Sequence, residues 1–433
     1  MPVDLRPHLP ADPSAAARAA LTPTAAAMQG SMILQIAAEV RALQAAGAAV
    51  ADLTVGDFKP AQFPIPAALA DRVVHHLRAG ETNYPPSDGV PALKKAISAM
   101  VSREWGFDYG GECVVVASGA RPPIYAAWRL LVSPGDRTCS FLPMWNTGYY
   151  AQLLQADHRF IQTSPEHNFF PTVDQFRDAI RGARLVVLNS PLNPTGTVVD
   201  PEVLRGYARA LIDENVGRER PCILLFDQVY WRLTLGGRAH ANPVALEPAC
   251  APYVIHVDAV SKWMAATGLR VGWAVVPPHL QGPMKNLLGH IGAWAPRAEQ
   301  LAVADLLADP ASFADYEAGL IGAIGQRLRR LYDGIQALAA EGLPVGAIEP
   351  QGGIYLSLRV DLIGRGFSRN EDIRRFLLER AGVAVVPFQA FDMAEESGWF
   401  RMSVGSVSLD DIDGALGRLG YALREMPSPG RSA

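Results

Sequence analysis

Short apolar runs recur along this chain with helical stretches between them, and that alternation constrains the fold more than any other feature. Val114-Val115-Val116, Thr138-Cys139-Ser140-Phe141-Leu142, Leu185 to Leu188, Ile223 to Phe226, Val254 to Val257 and Val271-Gly272-Trp273-Ala274-Val275 all have the length and texture of strands. A strand that is apolar throughout must be covered on both faces. Runs of this kind alternating with helices predict an α/β architecture, with a mostly parallel central sheet flanked by helices. Ligands of such sheets gather beyond the carboxyl ends of the strands. The residues that follow each run are therefore the ones to read for chemistry. With 433 residues, 49% of them apolar, the chain can fill a large core and two domains.

The run Tyr253-Val254-Ile255-His256-Val257 leads into Ser261-Lys262-Trp263-Met264-Ala265-Ala266-Thr267-Gly268-Leu269-Arg270. A lysine at the end of a buried strand is an unusual placement. Burial disfavours the ammonium and turns the amine into a nucleophile able to form a Schiff base. Further along the same segment, Arg270 offers a planar fork suited to a phosphate. The plainer reading is a surface lysine after a strand. Other strands are followed by Ser190-Pro191-Leu192-Asn193-Pro194-Thr195-Gly196 and by Asp227-Gln228-Val229-Tyr230, and Phe400-Arg401-Met402-Ser403 lies near the C-terminus. Taken singly, Asp227 reads as a helix N-cap, Asn193 as a turn residue before Pro194, and Tyr230 as a core tyrosine.

In order and spacing these four segments resemble the class I aminotransferases, the fold-type I pyridoxal 5'-phosphate (PLP) enzymes that include aspartate aminotransferase. The resemblance implies that fold, with a large PLP-binding domain over residues 50–310 and a smaller α+β domain from residues 31–49 plus 311–425. It implies Lys262 as the Schiff-base lysine and general base, Asp227 as the partner of the pyridine nitrogen, Tyr230 and Asn193 as contacts to the phenolic oxygen, and Trp145 as the ring stack. Ser118, Gly119, Ala120, Arg121, Ser261 and Arg270 would form the phosphate cradle. There a glycine permits close approach, and a helix opening on Pro122 and Pro123 presents its N-terminus. Arg401 and the backbone of Gly56 would take the substrate α-carboxylate, with Asn193 and Trp145 beside it. Tyr84 matches a tyrosine that reaches the phosphate of the neighbouring subunit, which implies a homodimer with shared active sites. Arg121 stands where one branch of bacterial aspartate aminotransferases carries a lysine that meets a distal carboxylate. The chain also departs from the family pattern: Asp57 and Phe58 follow Gly56 in place of a proline, Gln228 replaces a glutamate, and Leu192 replaces an asparagine or glycine.

The implied reaction moves an amino group between an L-amino acid and a 2-oxo acid by a ping-pong route, with an acidic donor such as aspartate or glutamate favoured. An aromatic or aliphatic donor beside Trp294 and Phe58 is the rival. The same fold and cofactor residues also serve β-lyases, decarboxylases and oxidases. A non-catalytic effector-binding regulator would need a separate DNA-binding domain, for which the Ala-rich residues before Val50 leave little room. A net charge of −4 without a long basic run argues against nucleic acid. No run approaches the ~18 apolar residues of a membrane span. Cys113, Cys139, Cys222 and Cys250 lack C-x-x-C spacing and read as reduced core thiols, with no metal site. The N-terminus has no apolar signal region, so a cytoplasmic protein is expected. Residues 1–30 read as a flexible arm. A helix with Ile36, Val40 and Leu43 on one face and Gly47 as its stop follows, and residues 426–433 read as a disordered tail.

Overall fold

The computed structural model describes residues 2–426. In chain order its strands are β1 (Ala51–Asp52), β2 (Val114–Ala117), β3 (Arg137–Leu142), β4 (Asp157–Gln162), β5 (Leu185–Asn189), β6 (Ile223–Asp227), β7 (Val254–Ala259), β8 (Gly272–Val275), β9 (Val345–Ala347), β10 (Tyr355–Val360), β11 (Val383–Ala384), β12 (Val386–Pro387) and β13 (Trp399–Ser403). Seven of them form the central sheet in the order β2-β8-β7-β6-β5-β3-β4. Only β8 runs against its neighbours; the other pairings are parallel. The sheet is therefore mixed and mostly parallel, as the apolar runs predict.

The period-two geometry of a strand sorts these residues onto two faces. Leu185, Val187, Ile223, Leu225, Ile255 and Val257 pack into one core, against Ile124 and Trp128 of the Arg121–Leu131 helix and Met284 and Leu288 of the Pro278–His290 helix. Val186, Leu188, Leu224 and Phe226 pack into the other, against Phe176, Leu204, Tyr207 and Leu211 of the helices Val173–Ile180 and Pro201–Asn215. Both faces are covered, and that is why these strands read as continuous apolar runs. β4 is the exception. It is an edge strand with no buried residue, and its polar residues carry no such signal.

A second, antiparallel sheet, β12-β13-β10-β9, follows in the last third of the chain, and β1 pairs with β11. The long helix Ala314–Ala340 and the C-terminal helix Leu409–Arg424 pack together beside it. The helix Met32–Ala45 buries Ile36, Ala37 and Val40, and Gly47 follows it at φ 89°. Residues 2–30 are partly helical: Pro13–Ala20 is capped by Asp12 and Pro23–Ala27 by Thr22, each with proline at its start, and neither buries a residue. Of the expected tail, residues 427–433 lie outside the described residues. Among the described residues, no helix is long and apolar enough to cross a membrane.

Candidate active site

The strand pairings bring the ends of several strands to one edge of the central sheet. Asn189 is level with Asp227, and Gly272, at the start of the antiparallel β8, is level with both Ala117 and Ala259. Lys262 follows in a single helical turn, Val260–Trp263. The sheet register thus gathers segments that lie far apart in sequence.

The Lys262 amine donates to the Gly56 carbonyl at 2.5 Å and lies 5.6 Å from the Tyr230 ring centre. Tyr230 is buried, and its hydroxyl is 2.7 Å from that of Tyr355. Burial, the first cause, and then Tyr355 hold the Tyr230 phenol well above its usual range, against the pull of Arg401. Asp227 closes β6; its carboxylate accepts from Val229 N at 3.2 Å, and its backbone carbonyl accepts from the Asn189 side chain at 2.8 Å. Burial pushes the Asp227 carboxyl up to about 6, opposed by the Val229 hydrogen bond and the nearby Lys262 charge. Asn189 also receives the backbone N–H of Asn193 at 2.7 Å, so one side chain ties the Asn193 loop to the end of β6.

Arg401, on β13, is 2% exposed. Its guanidinium donates to Asn193 Oδ1 at 3.0 Å and to the Thr54 carbonyl, and it lies 4.7 Å from the Tyr355 ring centre and 5.0 Å from that of Phe391. Its Nε has no partner. Burial lowers its pKa, opposed mainly by the two tyrosines. Gly56 fits here only because it lacks a side chain: a Cβ would sit 2.6 Å from the Tyr355 hydroxyl. Asp57, which stands where the family pattern has a proline, accepts from the Thr267 hydroxyl at 2.6 Å and from Phe58 N at 2.8 Å. The Gly56 loop is therefore tied to the segment that carries Arg270.

The third group lies at the start of the Arg121–Leu131 helix. Arg270 donates to the Ser118 carbonyl and to the Thr267 carbonyl, each at 2.9 Å. Gly119 has φ 88°, and a Cβ there would overlap the Arg270 guanidinium. Ala120 is the N-cap, and Arg121 opens the helix. The Arg121 guanidinium lies 4.6 Å from the Trp145 ring centre. Burial raises the pKa of the Tyr150 phenol, opposed by the Arg121 charge and the Asn146 side chain. Ser261 is buried beside Lys262. Tyr84 is 81% exposed, with its ring edge-on to Trp294 at 5.1 Å. Among the described residues, Lys262, Arg121, Arg270 and Arg401 have no carboxylate at ion-pair distance, a concentration of free cations suited to anions.

Sequence reasoning missed Tyr355, Asn189 and Thr54. Tyr355 lies in Gly352-Gly353-Ile354-Tyr355, where the paired glycines were the available signal.

The family model for aminotransferases of class I and II matches residues 48–419. The chain belongs to that family. It is similar to an aspartate aminotransferase of Geobacillus stearothermophilus, at 28% identity over 93% of this chain and 96% of the relative. An asparagine–oxo-acid transaminase of Streptococcus mutans is 27% identical over 85% of this chain and 91% of its own. Among solved structures, the aspartate aminotransferase of Thermus thermophilus with maleate superposes with a TM-score of 0.84 at 25% identity, covering 93% of this chain and 99% of that one. The protein is an aminotransferase of the fold-type I α/β architecture.

Proposed function

We propose that this aminotransferase uses PLP held by Lys262 and prefers an acidic amino donor, aspartate or glutamate, with 2-oxoglutarate as acceptor. The observation that carries the reading is the cluster of an amine and a carboxyl at the ends of central strands with a buried guanidinium from β13: Lys262, Asp227 and Arg401, joined through Gly56, Asn189 and Asn193. The residues fit the cofactor. Gly119 lets the Arg270 guanidinium pack where a side chain would overlap it, so a cation bonded to Ser118 lies beside the helix N-terminus at Ala120, a pairing suited to a phosphate. PLP supplies an electron-withdrawing ring that takes up the charge left when an amino acid loses its α-proton.

Each residue then has a task. Lys262 would hold the cofactor and, as a free amine, would carry the proton from the α-carbon. Asp227 would keep the ring nitrogen protonated. Tyr230 and Asn193 would face the phenolic oxygen, and Trp145 the ring. Arg401, whose fork is already oriented by Asn193 and Thr54, takes the α-carboxylate together with the Gly56 backbone. Arg121, oriented by the Trp145 ring and free of any acid, takes the distal carboxylate. The solved relative that binds maleate, a dicarboxylate, supports that preference.

We also read the protein as a homodimer, because Tyr84 is exposed and matches a family tyrosine that reaches the neighbouring subunit's phosphate. Four free, buried cysteines suit a reducing cytoplasm. The function is tested by a panel of amino donors and 2-oxo acids with both products measured. Aspartate or glutamate should lead; turnover without a paired oxo-acid product would reject transamination. An active monomer in ultracentrifugation at micromolar concentration would reject the dimer.

A further inference from the structure

We infer that Tyr355 is a positioning residue that tunes the cofactor through Tyr230 and braces Arg401 with the same ring. This rests on the proposal that PLP is held by Lys262, and extends it to a residue outside the segments that carry the family resemblance. The two phenols are 2.7 Å apart, so one hydroxyl donates to the other. Each has a single proton. If Tyr230 donates to the cofactor's phenolic oxygen, its oxygen is left as an acceptor, and Tyr355 must be the donor of the pair. A hydroxyl that accepts a hydrogen bond becomes a stronger donor, since chained hydrogen bonds polarise one another. Tyr355 therefore strengthens the hold of Tyr230 on that oxygen.

The geometry around Tyr355 leaves it little freedom. It is 1% exposed and sits on β10, paired with Ser403 of β13. Its ring packs edge-on against Tyr230, with ring centres 5.5 Å apart, while the Arg401 guanidinium stacks over it at 4.7 Å. The Gly56 backbone closes against its hydroxyl, where any side chain would clash. One tyrosine thus touches the group facing the cofactor oxygen, the group facing the substrate carboxylate, and the loop whose carbonyl receives Lys262. The ring and the hydroxyl do separate things: the ring braces Arg401, and the hydroxyl acts on Tyr230.

Replacing the hydroxyl alone tests the assignment. Tyr230 donation stabilises the ionised phenolic oxygen and holds down the pH at which the absorbance of the bound cofactor changes. Tyr355→Phe should raise that pH by about half a unit, the loss of one modest hydrogen-bond contribution. Tyr230→Phe should raise it further, and the double variant should match Tyr230→Phe alone, because Tyr355 has nothing to act on once the Tyr230 hydroxyl is gone. KM for the donor should change little in Tyr355→Phe, since the ring under Arg401 remains, whereas Tyr355→Leu should raise it. An unmoved absorbance transition in Tyr355→Phe, or shifts that simply add in the double variant, would overturn the assignment. A parent protein that binds no PLP would overturn it together with the cofactor reading, and is recognised before any variant is made.

Discussion

Arg232 allows the sharpest test of how the site is held in place. It follows Tyr230 by two residues, and its guanidinium lies between two indoles, 4.4 Å from the Trp231 ring centre and 5.0 Å from that of Trp263, the neighbour of Lys262. It pairs with Glu317 at 2.8 Å and with Glu104. The Arg232 side chain is 9% exposed, and those of Glu104 and Glu317 are 20% and 21% exposed. Arg232→Met keeps the stem and removes the charge. Breaking a buried pair from one side costs ~3–5 kcal/mol, and the partial exposure of both acids places this case at the low end. Loss of the cation between two indoles adds ~1 kcal/mol, for a total of about 4 kcal/mol. Urea unfolding at one fixed protein concentration measures it. Adding Glu104→Gln and Glu317→Gln to Arg232→Met should recover much of the loss, because no uncompensated charge then remains. A single variant within ~1 kcal/mol of the parent, or a triple variant no more stable than the single, would refute the reasoning.

Three further outcomes are expected. Asp258, fully buried, accepts from Trp231 Nε1 at 2.8 Å, and burial pushes its carboxyl from 3.8 up to about 7 against that bond and the Ala259 N–H. A raised acid contributes stability that is present below pH 4 and lost as pH rises through about 7, so Asp258→Asn should gain on the parent across that window in thermal melts; parallel curves would reject the shift. Asp227→Ala should lower turnover by ~10²-fold or more while leaving the melting temperature close to the parent's, and a rate within a few-fold would reduce Asp227 to a turn residue. Arg121→Ala should lower kcat/KM for aspartate by ~30-fold or more and barely affect alanine, because only the dicarboxylate loses a charged partner; equal losses for both donors would assign Arg121 to the cofactor.

The sheet was legible because β5, β6 and β7 are buried on both faces, so burial wrote itself into composition as unbroken apolar runs. β4 escaped notice because an edge strand needs apolar residues only where it meets a core, and Asp157-His158-Arg159 does not look like a strand. The reversed direction of β8 was invisible, since its apolar run reads the same either way. The helices in residues 13–27 carried a signal, Asp12-Pro13 and Thr22-Pro23, that the Ala- and Pro-rich composition masked. The chemical groups behind the strands were legible from type and order alone. What joins them was not. The hydroxyl of Tyr355 meets that of Tyr230 across 125 positions of sequence, and Thr267 meets Asp57 across 210. Such pairings follow from three-dimensional register and leave no local trace.

The central claim is that Lys262 holds PLP and gives it up to an amino donor. Borohydride reduction of the purified protein, followed by peptide mass spectrometry with and without prior exposure to aspartate, tests both halves at once. The account predicts a phosphopyridoxyl label on the peptide containing Lys262, and its loss when aspartate has first converted the cofactor to its amino form. A label on another lysine, or a Lys262 label that survives every amino donor tried, would contradict it.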